Sequence, residues 1–279
     1  MVETLALIGT GMIGGSIGLA CKKAGHVKRI IGYDTNPESL EASKALGICD
    51  SIEYKLEDAI KEADLVVFSM PVQAIAEEIL RAAKCAKEGA IFTDTGSTKA
   101  EICSLVKEKL LGMTPVYVPA HPIAGSEKNG PTAASEVLFK GKLTILCPFE
   151  NTPAWALDKV AGFWQAMGAR IEKLSPEEHD KIFAFTSHLP HLIAYALAGL
   201  LEPRHAQFTA GGFRDTTRVA GSDPALWTEI FKANKGPLLE ALKGFQEGLH
   251  NIESSLKSDD FASLEKILTK AQQFRRKVQ

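Results

Sequence analysis

His121 sits in Pro119-Ala-His121-Pro122, at the end of a short apolar run, and is a candidate proton acceptor near neutral pH. Ser97, in Thr93-Asp-Thr-Gly-Ser97-Thr-Lys99, ends another such run. Thr98 and Glu101 have the spacing of a capping box, which assigns Thr98 to the helix that follows and leaves Ser97 free. Further on, Ser187 and His191 lie four apart in an apolar helical run, so they share one face, and His188 stands three before His191. Pro190 should kink that helix and free backbone groups. Arg214 and Arg218, again four apart, form a cationic face suited to carboxylates unless Asp215 or Glu229 pairs with them. Together these types suit hydride removal from a carbon bearing a hydroxyl. Losing hydride makes that carbon a carbonyl, so a base must take the hydroxyl proton.

A hydride needs an acceptor, and the amino-terminal end offers a place for one. Gly9-Thr-Gly11-Met12-Ile13-Gly14 follows an apolar strand and opens a helix. Gly9 permits the tight turn, Gly11 lets backbone approach a pyrophosphate, and Gly14 lets helix and strand pack closely. The pyrophosphate would lie against unpaired N–H groups at the positive end of the helix. Asp34 ends the second strand about 20 residues beyond Gly14. A carboxylate there accepts from the ribose hydroxyls and repels a 2′-phosphate, which favours NAD over NADP. Ser69, Met70 and Pro71 end the fourth strand and Thr95 follows the fifth, on the edge where such sheets hold ligands. Asp34 can also be read as a turn residue, and Pro71 as a strand terminator.

Positioning these groups takes an α/β architecture, a Rossmann-type doubly wound sheet followed by an all-helical dimerisation domain. Strand and helix patterns alternate through the first half, with strands at 5–8, 29–33, 65–69, 90–93, 116–118, 142–148 and 169–174. Ser175-Pro-Glu-Glu178 is a capping box with proline in the first turn, and beyond it the pattern is helical. The boundary is therefore placed between an NAD-binding domain at 1–174 and a substrate and dimerisation domain at 175–279.

Composition narrows the remaining classes. With 32 basic and 34 acidic residues the net charge is −2, which leaves no basic footprint for nucleic acid. At 45% hydrophobic and 24% charged, the chain can bury a substantial core. Five scattered cysteines form no CxxC pair, so neither a disulfide framework nor a metal site is expected. The uncharged stretch 4–21 is as long as a membrane span, but its five glycines read as strand, turn and helix. No membrane partner and a cytoplasmic location are expected.

The strings GTGMIGGS, DTGSTK, HPIAGSE, SHLPH, GGFRDTTR and SDPALW, in this order, resemble the prephenate/arogenate dehydrogenases of tyrosine biosynthesis. The resemblance spans residues 5–274, and the last four strings are far more specific than the glycine loop. It implies a Rossmann domain, a helical domain through which two chains dimerise, and NAD(P)-dependent oxidative decarboxylation of a cyclohexadienol. By the resemblance His121 is the catalytic histidine and Ser97 its assistant. His191, Arg214 and Arg218 match substrate-side positions, and Ser187, on the same helix face as His191, is placed with them by its spacing. Glu127 is implied as a gating acid that pairs with Arg218, and Trp227 as a residue reaching the partner's site. Neither a mutase segment before Met1 nor a regulatory domain after Gln279 is expected.

The chemistry leans to prephenate over arogenate, since His191 could bond a keto-acid side chain and Asn129 offers no carboxylate to an amine. Two rivals stand beside this reading. One is a β-hydroxyacid or imine reductase with the same first half, which would not need HPIAG, SHLPH and FRDTTR together. The other is a nucleotide-sensing regulator, which would not need His121 and Ser97.

Overall fold

The computed structural model describes residues 1–110, 115–125 and 128–278. Its first half is a βα alternation: β1 (Val2–Ile8), α1 (Met12–Ala24), β2 (Val27–Tyr33), α2 (Pro37–Ala45), β3 (Ser51–Ile52) and α3 (Leu56–Ile60). After these come β4 (Leu65–Phe68), α4 (Val72–Ala82), β5 (Ile91–Asp94), α5 (Ala100–Lys109) and β6 (Val116–Tyr117). The six strands are parallel in the order β3-β2-β1-β4-β5-β6, the Rossmann order. Strand order reverses between β1 and β4, so a crevice opens where Ile8 and Phe68 end, beside Gly9 and Ser69. The buried runs Ala6–Ile8 and Leu65–Phe68 are apolar on both faces because helices cover both sides of the sheet. Ile230, from the carboxyl-terminal half, is buried within one of those two layers and joins the halves.

Beyond β6 the chain departs from simple alternation. β7 (Ala120–Pro122), β8 (Leu143–Leu146) and β9 (Arg170–Lys173), with α6 (Ala154–Ala166) between the last two, form a separate three-stranded sheet. β7 runs antiparallel to β8, with His121 opposite Ile145. His121 therefore lies inside a paired strand and not in a loop. A three-residue strand carries too little periodicity to announce itself.

From Ser175 onward every described element is helical, the α-helices being α7 (Pro176–Phe183), α8 (Leu189–Gly199), α9 (Gly211–Thr217), α10 (Pro224–Ala233), α11 (Lys235–Lys257) and α12 (Phe261–Arg275). The Ser175 hydroxyl accepts from Glu178 N, so the capping residue acts as its type predicts. The disturbance expected at Pro190 takes the form of a π turn, Ala184–His188, leading into α8. Proline has no N–H for the carbonyl four residues back, and the helix widens there instead of breaking. The run Pro176–Gly199 is long and apolar enough to cross a membrane by length and composition, yet it carries His179, Asp180 and His188 in hydrogen bonds to the rest of the chain.

Candidate active site at the ends of the parallel strands

The glycine loop has the shape that its sequence requires. Gly9 has φ of +95°, and a Cβ there would lie 2.0 Å from the Ser69 carbonyl oxygen. A Cβ on Gly14 would lie 2.0 Å from the Gly9 carbonyl oxygen, so loop, β4 and α1 are in direct backbone contact. Over Gly11 the space is open, and α1 begins there with no side-chain cap. Its first N–H groups, at Met12 and Ile13, have no partner within the helix and can meet an anion. Asp34 is half-buried; its Oδ2 accepts from Thr10 N at 2.7 Å and Thr10 Oγ1 at 3.1 Å, and Oδ1 accepts from Asn36 N at 2.9 Å. The carboxylate thus ties down a turn, and its bonds to Thr10 keep it beside the glycine loop. The Thr95 hydroxyl donates to the Ser69 hydroxyl at 3.3 Å, joining the ends of β4 and β5. Pro71 is the N-cap of α4, and Met70 packs against the core under that helix.

His121 is reached by a relay that crosses from one half to the other. Its Nδ1 lies 2.8 Å from His179 Nε2, and His179 Nδ1 lies 2.8 Å from Asp180 Oδ1. Asp180, a carboxylate, can only accept, so His179 carries its proton on Nδ1. The lone pair on His179 Nε2 then receives the Nδ1–H of His121. By elimination His121 Nε2 holds a lone pair, the form a general base needs. Burial pushes the His121 pKa well below the usual imidazole range, and His179, Lys99 and His188 push it the same way. Burial also lowers His179, against the opposing pull of Asp180. His121 is consequently neutral at pH 7.

Asp180 has a second task. Its Oδ1 accepts from Lys99 N at 2.7 Å and its Oδ2 from Ala100 N at 2.9 Å, so it caps α5 from another part of the chain. The Thr98–Glu101 capping box does not form: Lys99 is the N-cap residue, and the Thr98 hydroxyl is buried without a partner among the described residues. The long-range carboxylate has displaced the local one. Asn234 Nδ2 donates to the Asp180 carbonyl at 2.8 Å and lies 2.9 Å from His188 Nδ1, which fixes the π turn against the start of α11. Burial lowers His188 to about 4.

Four of the chain's seven histidines, His121, His179, His188 and His191, thus lie in one region, each lowering the titration of a neighbour or being lowered by one. His191 Nδ1 lies 2.8 Å from the Ser187 carbonyl and so donates to it. The Trp227 ring stacks on His191, with centroids 3.5 Å apart and 20° between planes. Trp227 is therefore held against a substrate-side candidate of its own chain. Burial lowers the His191 pKa, and the nearby Arg218 lowers it further. A neutral His191 whose proton faces Ser187 has only an acceptor left, so it cannot donate to a keto-acid side chain. Arg214 on α9 and Arg218 at the start of the next turn are exposed and make no ion pair among the described residues. Glu229 pairs instead with Lys232. Ser97 is half-buried and makes no hydrogen bond among the described residues. Glu127 lies outside them.

His179, Asp180 and Asn234 carry much of this geometry and were not singled out from sequence. One signal was present: His179 and Phe183 lie four apart, on the buried face of α7.

Comparison with known proteins adds the following. Residues 17–173 match a family model described as prephenate dehydrogenase, nucleotide-binding domain, and residues 175–270 match prephenate dehydrogenase, dimerization domain. The chain is 36% identical to a cyclohexadienyl dehydrogenase of Zymomonas mobilis, over 92% of this chain and 89% of that protein. It is 34% identical to a prephenate dehydrogenase of Bacillus subtilis, over 99% of this chain and 76% of that protein. Among solved structures it resembles prephenate dehydrogenase from A. aeolicus in complex with hydroxyphenyl propionate and NAD+. There the TM-score is 0.92 at 33% identity, covering 100% of this chain and 99% of that one.

Proposed function

The chain belongs to the prephenate dehydrogenase family, and from that premise we propose that it oxidises prephenate to 4-hydroxyphenylpyruvate and carbon dioxide with NAD. The observation that carries this reading is the relay from His121 through His179 to Asp180, which leaves a neutral imidazole nitrogen free to take a proton. His121 Nε2 accepts the proton of the ring hydroxyl while hydride leaves the carbon bearing it. NAD, when bound, supplies the hydride acceptor. Loss of carbon dioxide then returns the bonding electrons to the ring, which becomes aromatic, and the phenol oxygen regains a proton. Ser97 bonds the same oxygen, and Arg214 and Arg218 hold the substrate's carboxylates in place. The open space over Gly11, the uncapped start of α1 and the Asp34 carboxylate support a dinucleotide with unmodified ribose.

A second reading concerns the side chain of the substrate. The acceptor nitrogen of His191 suits an ammonium better than a ketone, which favours arogenate. Mixing the protein with NAD and each substrate in turn, and following absorbance of reduced nicotinamide, separates the two. Faster turnover of arogenate would overturn the prephenate assignment, and no turnover of either would overturn the reaction itself.

We further assign a homodimer built on the helical half. Only 28% of the apolar run in Pro176–Gly199 is buried within one chain, and Leu200, Phe208, Phe261 and Phe274 are exposed. Balanced charge and unpaired cysteines support a cytoplasmic location.

A further inference from the structure

Asp94 and Lys99 are both fully buried, and their side chains form an ion pair in the connection that carries Ser97. Neither group has a part in the reaction as proposed. A buried pair is expensive to desolvate and is often no more stabilising than packed apolar residues of the same size. Its presence is explained by what else the carboxylate holds. Asp94 Oδ2 accepts from Gly96 N at 2.9 Å as well as from Lys99 Nζ, and Oδ1 accepts from Tyr117 Oη at 2.9 Å and Ala120 N at 3.0 Å. One oxygen grips the residue before Ser97; the other grips the residue before His121.

Lys99 works in two directions as well. Its ammonium meets Asp94, and its backbone N–H donates to Asp180, the end of the relay that orients His121. The two residues therefore join three segments: the end of β5 with the Ser97 loop, strand β7, and α7.

We propose that Asp94 and Lys99 are positioning residues that hold Ser97 and His121 in register with each other and with the relay from Asp180. This rests on His121 being the proton acceptor. A carboxylate is needed because it can accept on both oxygens at once; an amide presents one acceptor and one donor, so one of the two connections must fail. The lysine balances that charge where no water can. His121 is faced by His179 from α7, His188 from the π turn and Lys99 at the start of α5, while Asp180 and Asp94, at the end of β5, act on His179. The Lys99 cation is among the groups that keep His121 neutral. Replacing it removes a repulsive charge, so protonation of His121 becomes easier.

The test uses the full chain with NAD and prephenate, with His121→Asn as a reference. Asp94→Asn should lower kcat by about 10- to 100-fold with the KM for NAD unchanged, since a misplacement near 1 Å costs that much. Lys99→Met should also lower kcat and move the acidic limb of kcat/KM to higher pH. Tyr117→Phe keeps both charges and loses one bond to Asp94; it should lower kcat by about 3- to 10-fold, and it carries the test if the charge variants do not fold. A fall in melting temperature with kcat and the pH profile unchanged would show a merely structural pair and overturn the proposal. An active His121→Asn variant would instead overturn the reading on which it rests.

Discussion

His121 and Asp180 are joined through a single imidazole, that of His179, by two hydrogen bonds of 2.8 Å each. The carboxylate belongs to α7 and the first histidine to β7, so helical half and sheet half meet in one line of three side chains. Because Asp180 also caps α5, it cannot shift without disturbing the connection that bears Ser97. On the proposed mechanism, proton acceptance and assembly of the two halves depend on the same residue.

Replacing His121 with Asn keeps a hydrogen-bonding group and removes the base. Turnover should fall by about 100-fold or more with substrate affinity little changed. Steady-state kinetics with near-normal kcat would rule out His121 as the acceptor.

His179→Phe fills the space and leaves His121 Nδ1 without an acceptor. The proton is then free to sit on Nε2, the wrong nitrogen, and kcat should fall by about 100-fold or more. In the native protein, burial keeps His121 neutral, so the acidic limb of kcat/KM should lie below pH 6.5. Stability follows the same sign. His188 titrates near 4 in the folded chain against 6.5 unfolded, so below 6.5 the unfolded state binds more protons. Melting temperature should therefore drop as pH falls from about 6.5 to 4 and its His188 component should level off below that. A His188→Gln variant with undiminished acid sensitivity would remove this residue from the account.

Asp34→Ala should lower efficiency with NAD and relax discrimination against the 2′-phosphate of NADP. The carboxylate also anchors Thr10 and Asn36, so some loss of melting temperature should accompany it. Asp34→Asn separates the two effects: it keeps most of the turn and drops the charge. A native enzyme that prefers NADP would refute the assignment.

Arg218→Ala should raise the substrate KM at least about 10-fold, the usual cost of one charge-assisted contact, and leave the cofactor KM in place. Arg218 also lowers the titration of His191, so the variant should let His191 protonate at higher pH. A change confined to the NAD constant would place Arg218 at the other ligand.

Most of what the sequence made legible was local. The glycine loop, Asp34 and the Ser175 cap each depend on neighbours within a few residues, and each is found where its pattern set it. Contacts between distant segments were not legible. His179 lies 58 residues from His121, and Asp180 lies 81 from the backbone N–H it caps at Lys99. The Thr98–Glu101 pattern was sound by local rules and lost to that distant carboxylate. The second sheet was missed for a related reason: β7 exists only because β8 pairs with it.

The last expectation concerns assembly. Leu200 is 76% exposed and Phe208 78%, in the segment after α8, while Phe261 and Phe274 are 59% and 69% exposed on α12. Four large apolar side chains so open to water call for a covering surface, and a second copy offers the same patch to itself under twofold symmetry. Burying them should make folding and association interdependent, so dilution should lower the melting temperature. Phe208→Glu together with Phe274→Glu should yield a chain of 30.1 kDa by light scattering where the native protein scatters as twice that mass. Because Trp227 stacks on His191 of its own chain, the separated protomer should keep that contact and its substrate KM should rise only modestly. If Trp227 instead moves to the partner's site in the dimer, the monomeric variant should lose activity altogether. A native protein that scatters as 30.1 kDa at micromolar concentration with full turnover would overturn the dimer.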